Sequence, residues 1–143
     1  MVYLDTSALV KKYVQESGSQ EVIELISHTV LIATCTISRA EAAAAFSKAV
    51  RIRALTGSSA QACHKEFLRE WRDYVRVRVT ETLVARADAL AWTFTLRGYD
   101  AVHLAAALEW QDRLGESVML ASFDQELWKA AGDSGLERFP SSL

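Results

Sequence analysis

Four acidic residues, Asp5, Glu41, Asp100 and Asp124, stand out as a set that could do chemistry together. Carboxylates held within a few ångströms repel and raise one another's pKa unless a cation neutralises them. Mg²⁺ and Mn²⁺ suit such a set, because both prefer octahedral oxygen ligands and keep several waters. Water bound to such an ion becomes a nucleophile near neutral pH, and the ion also stabilises charge on an attacked phosphate. Brought together, the set would suit metal-assisted attack of water on a phosphate. No Cys/His cluster with zinc spacing competes.

Three of these acids also have a local structural explanation. Asp5, Asp100 and Asp124 each stand where a strand or loop passes into a helix, and Asp is a favoured N-cap there, worth about 1 kcal/mol. Glu41 is different, since its neighbours are Ala40, Ala42, Ala43, Ala44 and Ala45. A carboxylate buried unpaired on such an apolar helix surface costs several kcal/mol. Two readings stand for it: a capping box with Ser38, or a ligand with room for an ion and its waters among the small alanines.

The elements that must position these acids are legible from pattern. Val2 to Asp5 reads as a short apolar strand, followed by a helix from Thr6 to Tyr13. Gly18 separates that helix from a second one ending near His28. Leu31 to Ile37 has strand length and β-branched content. Ser38 is expected to cap an alanine-rich helix from Arg39 to about Leu55, and another helix is expected from about Ser59 to Asp73. Tyr74 to Thr80 alternates and reads as a strand with one apolar face. A helix from Thr80 or Thr82 to Leu96 is broken at Gly98, and Asp100 starts the next, to about Leu114. Ser117 to Ala121 reads as a buried strand, Phe123 to Ala131 as a helix and Leu136 to Phe139 as an edge strand. Strands separated by helices predict an α/β sandwich, one domain over residues 1–143, with a mostly parallel sheet. In such sheets the functional crevice lies beyond the carboxyl ends of the strands, where strand order reverses. Asp5 and Asp124 would both face it.

At the same residues the sequence resembles a known family. Leu4-Asp-Thr-Ser-Ala-Leu-Val10, Ser38-Arg-Ala-Glu41, Arg97-Gly-Tyr-Asp-Ala-Val-His-Leu-Ala-Ala-Ala-Leu108 and Leu120-Ala-Ser-Phe-Asp-Gln-Glu-Leu127 are similar, in order, to the successive motifs of PIN domains. The nearest likeness is to the VapC-type toxins of toxin–antitoxin pairs. The resemblance implies a three-layer sandwich with a central sheet flanked by helices. It also implies an endoribonuclease that depends on Mg²⁺ or Mn²⁺, usually a homodimer, with RNA as substrate and a cognate antitoxin whose C-terminal segment covers the active site. Asp5, Glu41 and Asp100 match the core metal-site acids and Asp124 the more variable fourth. Thr6 and Ser122 match the hydroxyl positions beside them, as supporting partners or N-caps.

Other residues have competing readings. His103 lies three positions after Asp100 on the same helix face; a core histidine with satisfied ring nitrogens is favoured over a catalytic one. Arg97 would reach either a phosphate or a nearby acid. Trp71, Trp92, Trp110 and Trp128 read as core or dimer contacts rather than stacking platforms. Leu9, Val10, Tyr13, Val14 and Ile23 give the first helices more apolar surface than one small core covers, a basis for the expected dimer.

Net charge is −2, yet residues 48–78 carry +5 and the remainder −7. A basic face beside an acidic site would let an acidic protein hold RNA. Cys35 and Cys63 read as buried free thiols. The absence of a signal segment or a long apolar run predicts a cytoplasmic protein with no membrane association. Two other functions compete with this reading. A phosphatase or phosphotransferase would want a second acid two residues after Asp5, where Ser7 stands. A degenerate family member serving as a binding module would not be expected to keep all four acids.

Overall fold

A computed structural model describes residues 1–143. Five strands form one all-parallel sheet in the order β3-β2-β1-β4-β5: β1 (Val2–Leu4), β2 (Ile32–Cys35), β3 (Val75–Val77), β4 (Met119–Ala121) and β5 (Glu137–Phe139). Seven α-helices connect them: α1 (Thr6–Lys11), α2 (Ser19–Ser27), α3 (Ser38–Arg51), α4 (Gly57–Glu70), α5 (Glu81–Phe94), α6 (Gly98–Leu114) and α7 (Gln125–Asp133). The chain therefore adopts the α/β three-layer sandwich that the sequence pattern implies.

Alternation along β1 divides the core between two faces, as the pleat requires. Val2 and Leu4 pack with Ala8, Leu9, Phe46 and Phe67, on the side of α1, α3 and α4. Tyr3 points the other way, into a core shared with Leu83 of α5, Leu104 and Trp110 of α6, and Leu127 of α7. Ala101, Ala105, Ala106 and Ala107 are all buried in α6, so small side chains let this long helix lie close to its neighbours.

Several expected boundaries move for identifiable reasons. Only Val75–Val77 of the alternating 74–80 stretch pairs, because β3 is an edge strand and Thr80 turns away to cap α5 through a bond from the Leu83 N–H. Helix α5 ends at Phe94 with Thr95 in the left-handed conformation (φ 56°). Gly98 is not a breaker but the first residue of α6, so Asp100 lies inside the first turn of α6 rather than capping it. Asp73 lies in a 3₁₀ turn, Trp71–Asp73, beyond the end of α4.

The apolar residues of the first helices mostly belong to the core. Leu9 and Val14 are buried and Val10 and Tyr13 partly so; of the five, only Ile23 is exposed. Of the tryptophans Trp110 is buried, Trp71 and Trp128 are half-buried, and Trp92 is 84% exposed on α5, outside the core. Cys35 is buried as expected, whereas Cys63 is half-buried with its Sγ 3.0 Å from the Tyr13 carbonyl oxygen; both are free. No helix is long and apolar enough to cross a membrane.

Candidate active site

Strand order reverses between β1 and β4, the neighbours at the centre of the sheet, and the crevice beyond their carboxyl ends collects the candidate residues. Asp5 is the first residue past β1. Its extended backbone makes it the N-cap of α1, and its Oδ1 accepts from the Ala8 N–H at 2.8 Å. Ser7 Oγ lies 2.8 and 2.9 Å from the two carboxylate oxygens, and Ser122 Oγ donates to Oδ2 at 2.7 Å. Burial raises the Asp5 pKa above the usual aspartate value, although the His103 ring, Ala8, Ser122 and Ser7 all act to lower it. A buried carboxylate in that condition gains strongly from a neighbouring cation.

Glu41 does not form the capping box. The N-cap of α3 is Ile37, with no side-chain cap bond, and Ser38 is fully buried with its Oγ 2.7 Å from Thr34 Oγ1. Thr34 in turn donates to the Leu4 carbonyl at 2.7 Å, so packing against β2 consumes the hydroxyl that would have capped the helix. Glu41 turns inward instead. Its Oε2 accepts from Thr6 Oγ1 at 2.5 Å and sits 2.8 Å from His103 Nε2. Burial alone would raise its pKa, but the His103 and Thr6 bonds outweigh it and hold the carboxyl below its ordinary value. Both bonds end on Oε2, leaving Oε1 as the open donor atom.

Asp100 and Asp124 share one partner. Arg97, the residue before α6, reaches Asp100 Oδ2 with Nε at 2.7 Å and Asp124 Oδ2 with Nη2 at 2.5 Å. The other Asp124 oxygen caps α7 by accepting from the Glu126 and Leu127 N–H groups. Of the three acids read as N-caps, Asp5 and Asp124 are caps and Asp100 is not.

These contacts form two networks that the chain brings side by side. Asp5 is joined by Ser122 to the Asp124 backbone N–H, whose side chain is joined by Arg97 to Asp100. One turn along α6, His103 is bonded to Glu41, and Glu41 to Thr6, the residue after Asp5. No three carboxylate or imidazole groups are drawn together into a ready-made cage. The donor set is nonetheless all oxygen, with Glu41 Oε1 and Asp100 Oδ1 outside the bonds just described. A hydrated Mg²⁺ or Mn²⁺, which takes one or two carboxylates directly and the rest through water, fits an open arrangement of this kind.

Thr6 and His103 bond to Glu41 and Ser122 bonds to Asp5; His103, on the same helix as Asp100, is also a satisfied core residue, 3% exposed with both ring nitrogens bonded. Arg97 is an ion-pair partner, of two acids rather than one. Two further residues contribute that the sequence does not mark. Ser7 follows Asp5 in the same motif and was weighed only as the place where a phosphatase would carry an acid. Tyr3, whose hydroxyl lies 2.9 Å from His103 Nδ1, reads in sequence only as a core residue of β1.

Known proteins of similar sequence and fold identify the family. The PIN domain family profile matches residues 2–133. Two Mycobacterium tuberculosis proteins are each 32% identical over 143 residues, spanning all of this chain and 97% of their own: Ribonuclease VapC45 of strain CDC 1551 / Oshkosh and Ribonuclease VapC49 of strain ATCC 25618 / H37Rv. Among solved structures, FitAcB from Neisseria gonorrhoeae has a similar fold, with a TM-score of 0.66, 16% identity and coverage of 97% of this chain and 96% of that chain. VapBC2 from Rickettsia felis, bound to a DNA fragment from its promoter, has a TM-score of 0.64 at 15% identity, covering 96% of this chain and 97% of that chain. On the full-length match to these relatives and the family profile, the chain belongs to the PIN domain family, within its VapC group.

Proposed function

We propose that this chain is a Mg²⁺- or Mn²⁺-dependent endoribonuclease, the toxin of a toxin–antitoxin pair. The observation that carries the reading is the pair of side-chain networks at the β1/β4 switch point, one joining Asp5, Asp124 and Asp100 and the other holding Glu41 through Thr6 and His103. The full-length relatives named ribonucleases support RNA as the substrate. A structural neighbour described as a toxin–antitoxin complex from Klebsiella pneumoniae supports an antitoxin partner.

In this reading the protein's own groups prepare the site. Asp5, fixed by Ser7, Ser122 and the Ala8 N–H, presents its remaining lone pairs to the crevice. Glu41 offers Oε1 while Thr6 and His103 hold Oε2. Asp100 would complete the core set, with Asp124 beside it as the fourth acid. A bound divalent ion supplies an activated water and compensates phosphate charge. Arg97 neutralises the outer acid pair until ion or RNA takes over that task.

A homodimer would use a surface on α5 and α6 rather than the first helices, whose apolar residues mostly belong to the core. Val84 and Tyr99 are exposed there and line an apolar groove of about 480 Å³ with Ala87, Ala91 and Val102, and Trp92 is exposed on α5. A second copy of this chain would cover that face. The free thiols Cys35 and Cys63 accord with action in the reducing cytoplasm.

The test is RNA cleavage by the purified chain. Cleavage should require Mg²⁺ or Mn²⁺, stop in EDTA, return on adding the ion back, and vanish in Asp5→Asn and Asp100→Asn. Activity in excess EDTA, or full activity in either variant, contradicts the reading.

A further inference from the structure

We propose that Tyr3 is a positioning residue for Glu41, acting through His103, whose tautomer it fixes. Tyr3 stands in β1 on the face covered by α6 and is fully buried. Its hydroxyl lies 2.9 Å from His103 Nδ1, and the two rings meet edge to face, 6.0 Å between centroids and 70° between planes.

Two arrangements satisfy that contact: the phenol donates to a bare Nδ1, or an Nδ1–H donates to the phenol oxygen. The second leaves the phenol proton in the dry core with the Cys35 thiol as its partner, a weak acceptor and so the costlier choice. Tyr3 therefore donates, Nδ1 accepts, and the ring proton sits on Nε2.

That nitrogen faces Glu41 Oε2 at 2.8 Å. With the proton on Nε2 the contact is a hydrogen bond to a carboxylate. With the proton on Nδ1 it would set a lone pair against a lone pair. Thr6 Oγ1 adds a second donor to the same oxygen at 2.5 Å, so Oε2 is pinned and Oε1 is aimed away from both. The relay is the arrangement by which an outer hydrogen bond fixes a histidine's tautomer and the histidine fixes a ligand. It rests on the reading that Glu41 acts in the metal site.

The test uses the full chain with ¹⁵N-labelled histidine. Ring ¹⁵N shifts should show His103 protonated at Nε2 and bare at Nδ1, and Tyr3→Phe should shift part of the population to the other tautomer. In Mn²⁺-dependent cleavage, Tyr3→Phe should lose about tenfold in kcat with KM within about twofold. His103→Gln, whose amide can still donate to Glu41, should retain more activity than His103→Leu. A proton on Nδ1 in the unmodified chain overturns the proposal. So does a Tyr3→Phe variant that folds and keeps both tautomer and kcat while Glu41→Gln is inactive. A fully active Glu41→Gln variant would overturn the proposal together with the reading beneath it, and the tautomer measurement tells these failures apart.

Discussion

Ser122 Oγ lies 2.7 Å from Asp5 Oδ2, a bond between residues 117 positions apart that ties the carboxyl end of β4 to that of β1. The same hydroxyl accepts from the Asp124 N–H at 3.0 Å, so one side chain places two of the four acids. Ser122→Ala should cut the cleavage rate by about tenfold to a hundredfold. It also removes one of the influences that lower the Asp5 pKa, which burial already raises. If the ionised Asp5 is the active form, the acid limb of the pH–rate profile moves to higher pH in the variant. A full pH–rate profile checks this, and an unmoved limb at unchanged rate would remove Ser122 from the site.

Arg97 stands between Asp100 and Asp124 where a cation would otherwise screen them. Its side chain is 75% exposed, so the pairs contribute well under about 1 kcal/mol each to stability. Arg97→Gln should lower the metal-free melting temperature slightly, because two acids lose their counter-ion. Mn²⁺ should then raise the melting temperature of the variant more than that of the parent, by binding the native state more tightly. A smaller Mn²⁺ shift in the variant would show that Arg97 assists the ion rather than standing in for it.

Glu70 fastens the end of α4 to the chain just beyond α1, with Lys12 Nζ at 2.5 Å and the Tyr13 hydroxyl at 2.8 Å. Burial would raise its pKa, but the bonds from Lys12 and Tyr13 outweigh that and leave it lowered. The stabilisation is therefore complete above the unfolded value of about 4.3 and is lost as pH falls through the lower folded value. Glu70→Gln should destabilise by about 1 kcal/mol at neutral pH, a difference that shrinks towards zero at acid pH. Urea unfolding of both proteins across that range measures it.

Arg76 and Arg78 are both exposed at and just beyond the edge strand β3, while Val77 between them is buried. Each basic contact to single-stranded RNA adds about −0.7 to the slope of log K against log salt. Replacing both arginines by Gln in an Asp100→Asn background should weaken RNA binding and flatten the slope by up to about 1.4. An unchanged slope would move the RNA path to the segment from Lys48 to Arg53.

The sheet, the helix order and the crevice were legible because apolar strands alternate with amphipathic helices along the whole chain. What was not legible depends on contacts between distant residues. The Ser38/Glu41 spacing has the form of a capping box, yet Thr34 takes the Ser38 hydroxyl and His103, 62 residues away, takes Glu41. Gly98 has the form of a helix breaker, yet the chain turns three residues earlier at Thr95, a non-glycine residue in the left-handed region. Tyr3 is apolar by pattern, and only the fold shows what its hydroxyl meets. The acids themselves were found from the motifs, while Arg97 between two of them and Ser7 beneath a third needed the structure.

The central claim, that Glu41 serves the metal site rather than the helix end, is tested most directly by the cleavage rate of Glu41→Gln in saturating Mn²⁺. Gln keeps an acceptor for Thr6 and His103 but loses the charge that would hold a cation. The account predicts a loss of about a hundredfold or more in rate, with the metal-free melting temperature essentially retained. A rate within a factor of about three of the parent would contradict it.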